Sequence, residues 1–223
     1  MPKIFLSPST QEYNQYITGA GSEEYFMNLI TDAMEPYLTA NTIRFGRNTP
    51  EMTAASSIRQ GNAGNYDFYL ALHSNASTDG SREGFIRGII AFYYPGSANG
   101  QRAADIFVRN LQTIYPLPEK VYARSTTTLG EVRRPRMPAV LLELGYHDNY
   151  ADARWIRRRG VPANPWFSQK ELSGGGAALD ITVYAYEIAA FMMGMRPEIT
   201  DVQAVRYHTG VDASELISMR AGD

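Results

Sequence analysis

Three side chains stand where hydrolytic chemistry could use them. Glu143 directly follows the apolar run Ala139-Val140-Leu141-Leu142, and a carboxylate at the end of such a run is costly to bury without a purpose. His73 lies in Ala71-Leu72-His73-Ser74-Asn75-Ala76, at the end of a second apolar run, and Glu24 falls in the first turn of a helical pattern. Amide hydrolysis needs a water made nucleophilic near neutral pH and a carbonyl oxygen stabilised as it gains charge. A zinc ion with an open position supplies both, and a nearby carboxylate carries the proton from the water to the leaving amine. In that scheme His73 and Glu24 are ligands and Glu143 is the acid/base group. Each residue taken alone also has a plain structural reading. A lone His after a strand is commonly a hydrogen-bonded core residue, and a Glu at a helix start suits the helix dipole.

Such a set works only if a scaffold brings it together. Residues 3–6, 67–72 and 138–143 read as strands buried on both faces. Phe26, Leu29, Ile30, Met34, Tyr37 and Leu38 recur at three- and four-residue spacing, which predicts a helix over 24–38 with Ser22 and Glu23 at its start. Further helices are expected over 51–60, 101–114 and 151–159, with a β-like stretch at 84–94. Residues 160–176 read as an inserted Pro- and Gly-rich loop, and 177–193 as a last apolar helix. This alternation predicts an α/β fold with a mostly parallel central sheet, flanked by helices on both faces. In such sheets functional groups collect at the carboxyl ends of the strands, where His73 and Glu143 are expected. Residues 1–196 form the expected catalytic domain. In the tail, 197–223, residues 202–205 and 210–213 resemble edge strands, and 210–223 resembles the first strand of bacterial Src-homology-like wall-binding modules, so the tail is expected to be a linker and the start of a small β-type module of that kind.

Several segments in register resemble the zinc amidases of the amidase-3 family. His73 in ALHSNAS looks like that family's S-L-H-x-N-A segment, and Glu143 in ELGYHDN looks like its E-x-G-F-x-S-N segment. Glu24 in EEYFMNL resembles the metal-binding Glu that opens the family's first helix, and Arg47 and the Ser57-Ile58-Arg59 helix fall in the corresponding order. The resemblance covers residues 3–195. It implies an α/β fold with a mixed, mostly parallel central sheet, one catalytic Zn2+, hydrolysis of the amide between N-acetylmuramic acid and L-alanine, Glu24 and His73 as ligands, and Glu143 as the catalytic carboxylate.

One segment departs from the pattern. The family's first strand runs into D-P-G-H-G-G, whose His is a ligand, whereas this chain has Ser7-Pro8-Ser9-Thr10-Gln11-Glu12. Thr10 takes the His position and is a poor zinc ligand. Glu12 is the expected replacement, and His147 is the other candidate. His147 could instead contact substrate, orient a ligand, or cap the next helix with Asp148 and Asn149. Asn75 and Arg133 complete the expected substrate contacts, because guanidinium groups pair well with the carboxylates of wall peptides. A solvated basic edge is the plain alternative for Arg133 and its neighbours Arg124, Arg134 and Arg136.

Composition narrows the alternatives. The 223 residues are 44% hydrophobic and 20% charged, enough to bury a core, and 21 basic against 23 acidic residues give a net charge of -2. No field of that size draws the molecule to nucleic acid. With no Cys, any metal is held by His, Asp, Glu or water. No stretch is long and apolar enough to span a bilayer, and the start MPKIFLSP is too short for a signal-peptide core. The expected partner is peptidoglycan, bound by a monomer acting at the cell wall. Two other readings stand beside the amidase: a zinc peptidase acting on wall peptides, and a metal-free wall-binding or regulatory protein on the same fold.

Overall fold

The computed structural model describes residues 1–78, 82–159, 198–206 and 212–220. The chain forms two compact units, 1–160 and 161–223.

The first unit is a six-stranded sheet of order β2-β1-β3-β6-β4-β5. Its strands are β1 (Lys3–Pro8), β2 (Arg44–Arg47), β3 (Phe68–Asn75), β4 (Ile89–Tyr93), β5 (Val121–Ser125) and β6 (Ala139–Tyr146). All neighbours run parallel except β4 against β6, so the sheet is mostly parallel, as the alternation of patterns predicts, and mixed, as the family resemblance implies. Tyr69, Leu70, Ala71 and Leu72 are all 2% exposed or less. Successive strand residues point to opposite faces, so both faces of β3 are covered. On one face Phe5, Tyr69, Ala71, Ala139 and Leu141 pack with Ile58 of α2 (Ala54–Ala63) and Val132 of α4 (Gly130–Arg133).

The helices begin where local chemistry lets them. Ser22 caps α1 (Glu23–Ala40) by accepting from the Tyr25 amide. α2 starts at Ala54, later than residue 51, because Thr53 and Ser56 form a capping box there. Ser97 caps α3 (Ala98–Gln112), and Asn149 caps α5 (Tyr150–Arg157) by accepting from the amides of Ala151 and Asp152.

The central strands run past the ends expected from apolar content. β3 continues to Asn75 and β6 to Tyr146, because Asn75 and Tyr146 still pair across a register shift after His73. His73 and Glu143 therefore lie inside strands, not after them. Only 89–93 of the expected β-like stretch 84–94 is a strand. The sheet edges are β2 and β5, short strands carrying Arg44, Arg47 and Arg124, a composition suited to exposed edges and too polar to register as a buried run.

One buried carboxylate ties β6 and α5 to the loop before β4. Asp152 is fully buried; its oxygens accept from Arg87 Nε at 2.8 Å, the Tyr115 hydroxyl at 2.6 Å, and the amides of Gly88 and Tyr146, both at 3.1 Å. Removing one partner of a buried ion pair costs about 3–5 kcal/mol. Asp152→Ala is expected to lower stability by that order in urea unfolding; a loss below about 1 kcal/mol, the typical worth of a single hydrogen bond, would deny Asp152 this role.

In the second unit the described residues form an antiparallel pair, β7 (Glu198–Arg206) with β8 (Asp212–Arg220). The expected loop 160–176 and helix 177–193 lie outside the described residues. No helix among the described residues is long and apolar enough to cross a membrane.

Candidate active site

The strand order reverses between β1 and β3: from β1 the chain crosses outward to β2 and returns on the other side. Such a switch point opens a crevice at the carboxyl ends of the strands. Ser7, Tyr69, His73 and Glu143 share one face there, by the two-residue alternation that also places Phe5, Ala71 and Leu141. His73 and Glu143 are register partners on adjacent parallel strands.

The imidazole of His73 lies between two carboxylates. Its Nδ1 is 2.9 Å from Glu23 Oε1 and its Nε2 is 2.9 Å from Glu131 Oε2. Glu131, 5% exposed on the short α4, also accepts from the Ser7 hydroxyl at 2.6 Å and the Tyr69 hydroxyl at 2.8 Å. Glu23, 1% exposed, accepts from Asn14 Nδ2 at 2.6 Å, and Gln11 Nε2 stands 3.4 Å from both Glu23 Oε1 and His73 Nδ1. The loop between β1 and α1 holds these amides in place. The Glu23 amide donates to the Asn14 carbonyl, Gln15 bridges to Ser22, and buried Tyr16 packs on Phe26 with ring centroids 4.5 Å apart.

Charge follows this geometry. Burial alone would push His73 down, but hydrogen bonds to Glu131 and Glu23 outweigh it and hold the imidazole well above its ordinary pKa. Burial pushes both Glu23 and Glu131 up, and contact with His73 reverses that, so both lie below the usual carboxylate value. Among the described residues Glu143 has no such partner. Burial, with the charges of Glu23 and Glu131, pushes it up to about 7 despite the opposing pull of His73. Its Oε2 is buried with no hydrogen-bond partner among the described residues.

Two clefts flank this group. One, of about 320 Å³, is lined by Ser9, Thr10, Gln11, Asn48, His73 and Glu131. The other, of about 660 Å³, is lined by Asn75, Phe92, Arg124, Thr126, Thr128 and Glu143.

Of the expected site residues, His73 and Glu143 come together, and Asn75 lines the Glu143 cleft. Glu24 does not reach His73. One step along a helix turns a side chain by about 100°; Glu23 takes the inward position, while Glu24 Oε1 accepts from Asn28 Nδ2 at 3.0 Å, beside Arg47. Glu12 is exposed, and its charge acts on Glu24. His147 is 3% exposed, stacked on Tyr16 at 5.4 Å, with Nδ1 3.1 Å from both the hydroxyl and the carbonyl oxygen of Ser74. In this structure it packs as a core imidazole. Arg133 is exposed and lines neither cleft; Arg124 lines the Glu143 cleft instead.

Glu23, Glu131, Gln11 and Asn14 escaped the sequence reading. For Glu23 a signal existed, since Glu23, Phe26, Met27 and Ile30 form an i, i+3, i+4, i+7 stripe that marks the buried face. Among the described residues no three His, Cys, Asp or Glu side chains are grouped to hold a metal ion. An imidazole and a carboxylate do stand together. If this pair takes a metal ion, Glu23→Gln is expected to weaken its binding at least about tenfold, measured by calorimetry, while Glu24→Gln leaves it unchanged; the reverse order would restore Glu24 to the site.

Parallel strands of a mixed α/β sheet thus bring an imidazole and a carboxylate to one crevice, a pair of side chains of the kind hydrolytic enzymes use. The sequence profile of the amidase-3 family, N-acetylmuramoyl-L-alanine amidase, matches residues 11–163. This chain belongs to that family, and its first unit is a peptidoglycan amidase domain. Solved structures share the fold. An N-acetylmuramoyl-L-alanine amidase from Clostridium difficile 630 superposes with TM-score 0.60 at 15% identity, over 71% of this chain and 90% of that one. The amidase AmiC2 of Nostoc punctiforme gives 0.58 at 14%, over 71% and 91%. The CwlD amidase from Clostridioides difficile, solved with the GerS lipoprotein, gives 0.60 at 12%, over 70% and 88%. A stretch of 73 residues is also 41% identical to part of an Amycolatopsis mediterranei protein named for a UDP-kanosamine synthase oxidoreductase subunit, a match spanning 32% of this chain and 19% of that protein.

Proposed function

We propose that the chain cuts the amide between N-acetylmuramic acid and L-alanine in peptidoglycan, with Zn2+ held by His73 Nδ1 and Glu23 and with Glu143 moving the proton. The observation that carries this reading is Glu143: a buried carboxyl with an unpartnered oxygen, in register with His73 and open to the larger cleft. When bound, the zinc would acidify the attacking water and polarise the scissile carbonyl.

The remaining work falls to this chain's own side chains. Nδ1 and Glu23 Oε1, 2.9 Å apart, are a donor pair of the kind zinc takes. Glu131 accepts the Nε2 proton and so keeps the Nδ1 lone pair facing the ion, as outer carboxylates do for metal-binding imidazoles. The ionised Glu143 takes the proton of the attacking water and, once protonated, gives it to the leaving amine. Asn75 and Arg124, which line the same cleft, would meet the stem peptide. We assign the activity to a monomer working at the cell wall. The β7–β8 pair supports a separate β-type module beyond the amidase domain.

Incubating the protein with purified peptidoglycan, with and without chelator, tests the reading. New L-alanine amino termini that vanish with chelator and return with Zn2+ are the expected result. New termini elsewhere in the stem would make the enzyme a wall peptidase. Binding to wall without any cleavage would leave the metal-free binding protein.

A further inference from the structure

We infer that Gln11 supplies the third protein ligand of the metal site through its side-chain oxygen, in place of the imidazole that Thr10 cannot provide. This inference rests on the zinc reading above.

The geometry is that of a triangle. Gln11 Nε2 is 3.4 Å from His73 Nδ1 and 3.4 Å from Glu23 Oε1, and those two atoms are 2.9 Å apart. Three donors on a tetrahedral ion with bonds of 2.0–2.1 Å lie roughly 3.3–3.4 Å from one another. Two edges match, and the third needs to open by only about 0.5 Å to reach that spacing. No other side chain offered for the place meets this test. Glu131 is on the far, Nε2, side of the ring and cannot share an ion bound at Nδ1. Glu12 is exposed, and His147 is tied to Ser74.

The amide must present its oxygen. With only the Glu23 carboxylate and the His73 ring before it, the NH2 group faces inward, and Oε1 accepts from the Tyr13 hydroxyl at 3.1 Å and Asn14 Nδ2 at 3.3 Å. A cation reverses that preference, and a half-turn of the terminal torsion exchanges the two ends of a near-symmetric group. The Tyr13 hydroxyl can then accept where it had donated, and Asn14 keeps its stronger bond to Glu23 at 2.6 Å. A neutral amide is a weaker zinc donor than an imidazole, so restoring an imidazole at this position should tighten the site.

Calorimetric titration of the full chain with Zn2+, together with the visible absorption of its Co2+ form, distinguishes the possibilities. Wild type is expected to bind one ion, Gln11→Ala to bind at least about tenfold more weakly, and Gln11→His to bind more tightly with a changed Co2+ spectrum. If wild type binds and both variants match it within twofold, with unchanged Co2+ spectra, Gln11 is not a ligand and the zinc reading stands. If wild type binds no ion, the zinc reading itself falls and this inference with it. The Gln11→His gain cannot be produced by a misfolded loop, so a damaged Ala variant does not decide the outcome.

Discussion

Replacing Glu143 by Gln is expected to lower kcat/KM on peptidoglycan by about 10²–10⁴-fold, the usual contribution of a positioned acid/base group. Gln matches the shape but neither accepts nor delivers the proton. The same change has an opposite effect on stability. Burial first, and then Glu23 and Glu131, push this carboxyl up to about 7, from an ordinary value near 4.5. A raised carboxyl favours folding at low pH, where it is protonated in both states, and that contribution is lost as pH rises through about 7. In metal-free protein at pH 8, ionising Glu143 inside the fold therefore costs on the order of 3 kcal/mol. Glu143→Gln should then be more stable than wild type at pH 8, with the advantage shrinking towards pH 5. Denaturation at the two pH values measures this, and a full-rate Gln variant would take Glu143 out of proton transfer.

His73→Ala is expected to abolish metal binding and to cost about 3–5 kcal/mol of stability, the loss seen when one partner of a buried ion pair is removed. Without the ring, Glu23 and Glu131 remain buried with a shared counter-charge gone. The loss depends on pH in a defined way. His73 is held above its ordinary pKa, so its contribution is complete below about 6.5 and fades as pH rises through the folded value. Glu23 and Glu131 are held below theirs, so their contribution is complete above about 4.5 and fades as pH falls. The gap between wild type and variant should be widest between about pH 5 and 6.5. Urea unfolding across pH 3–8 checks the prediction. A gap under about 1 kcal/mol at pH 6, no more than an exposed ion pair supplies, would mean that the two carboxylates do not depend on the ring.

Both predictions concern a site whose members were unequally legible. His73 and Glu143 stand out in sequence because each follows an apolar run, and a polar group there must be accounted for. Glu23 and Glu24 are adjacent acids at one helix start, and only helix phase separates them. Glu131 carries no such signal, since its partners Ser7, Tyr69 and His73 lie 124, 62 and 58 residues away.

The sequence by itself determined the strand and helix alternation, the α/β class, the family, and the two residues on central strands, because hydrophobic periodicity and local motifs are properties of consecutive residues. Tertiary structure alone decided that Glu23 rather than Glu24 faces the imidazole, that Glu131 takes its other side, that His147 is buried beneath Ser74, and that Gln11 stands beside Glu23 and His73. Those are contacts between segments distant in the chain, and they exist only once the loop after β1, the start of α1 and the short α4 converge on the end of β3.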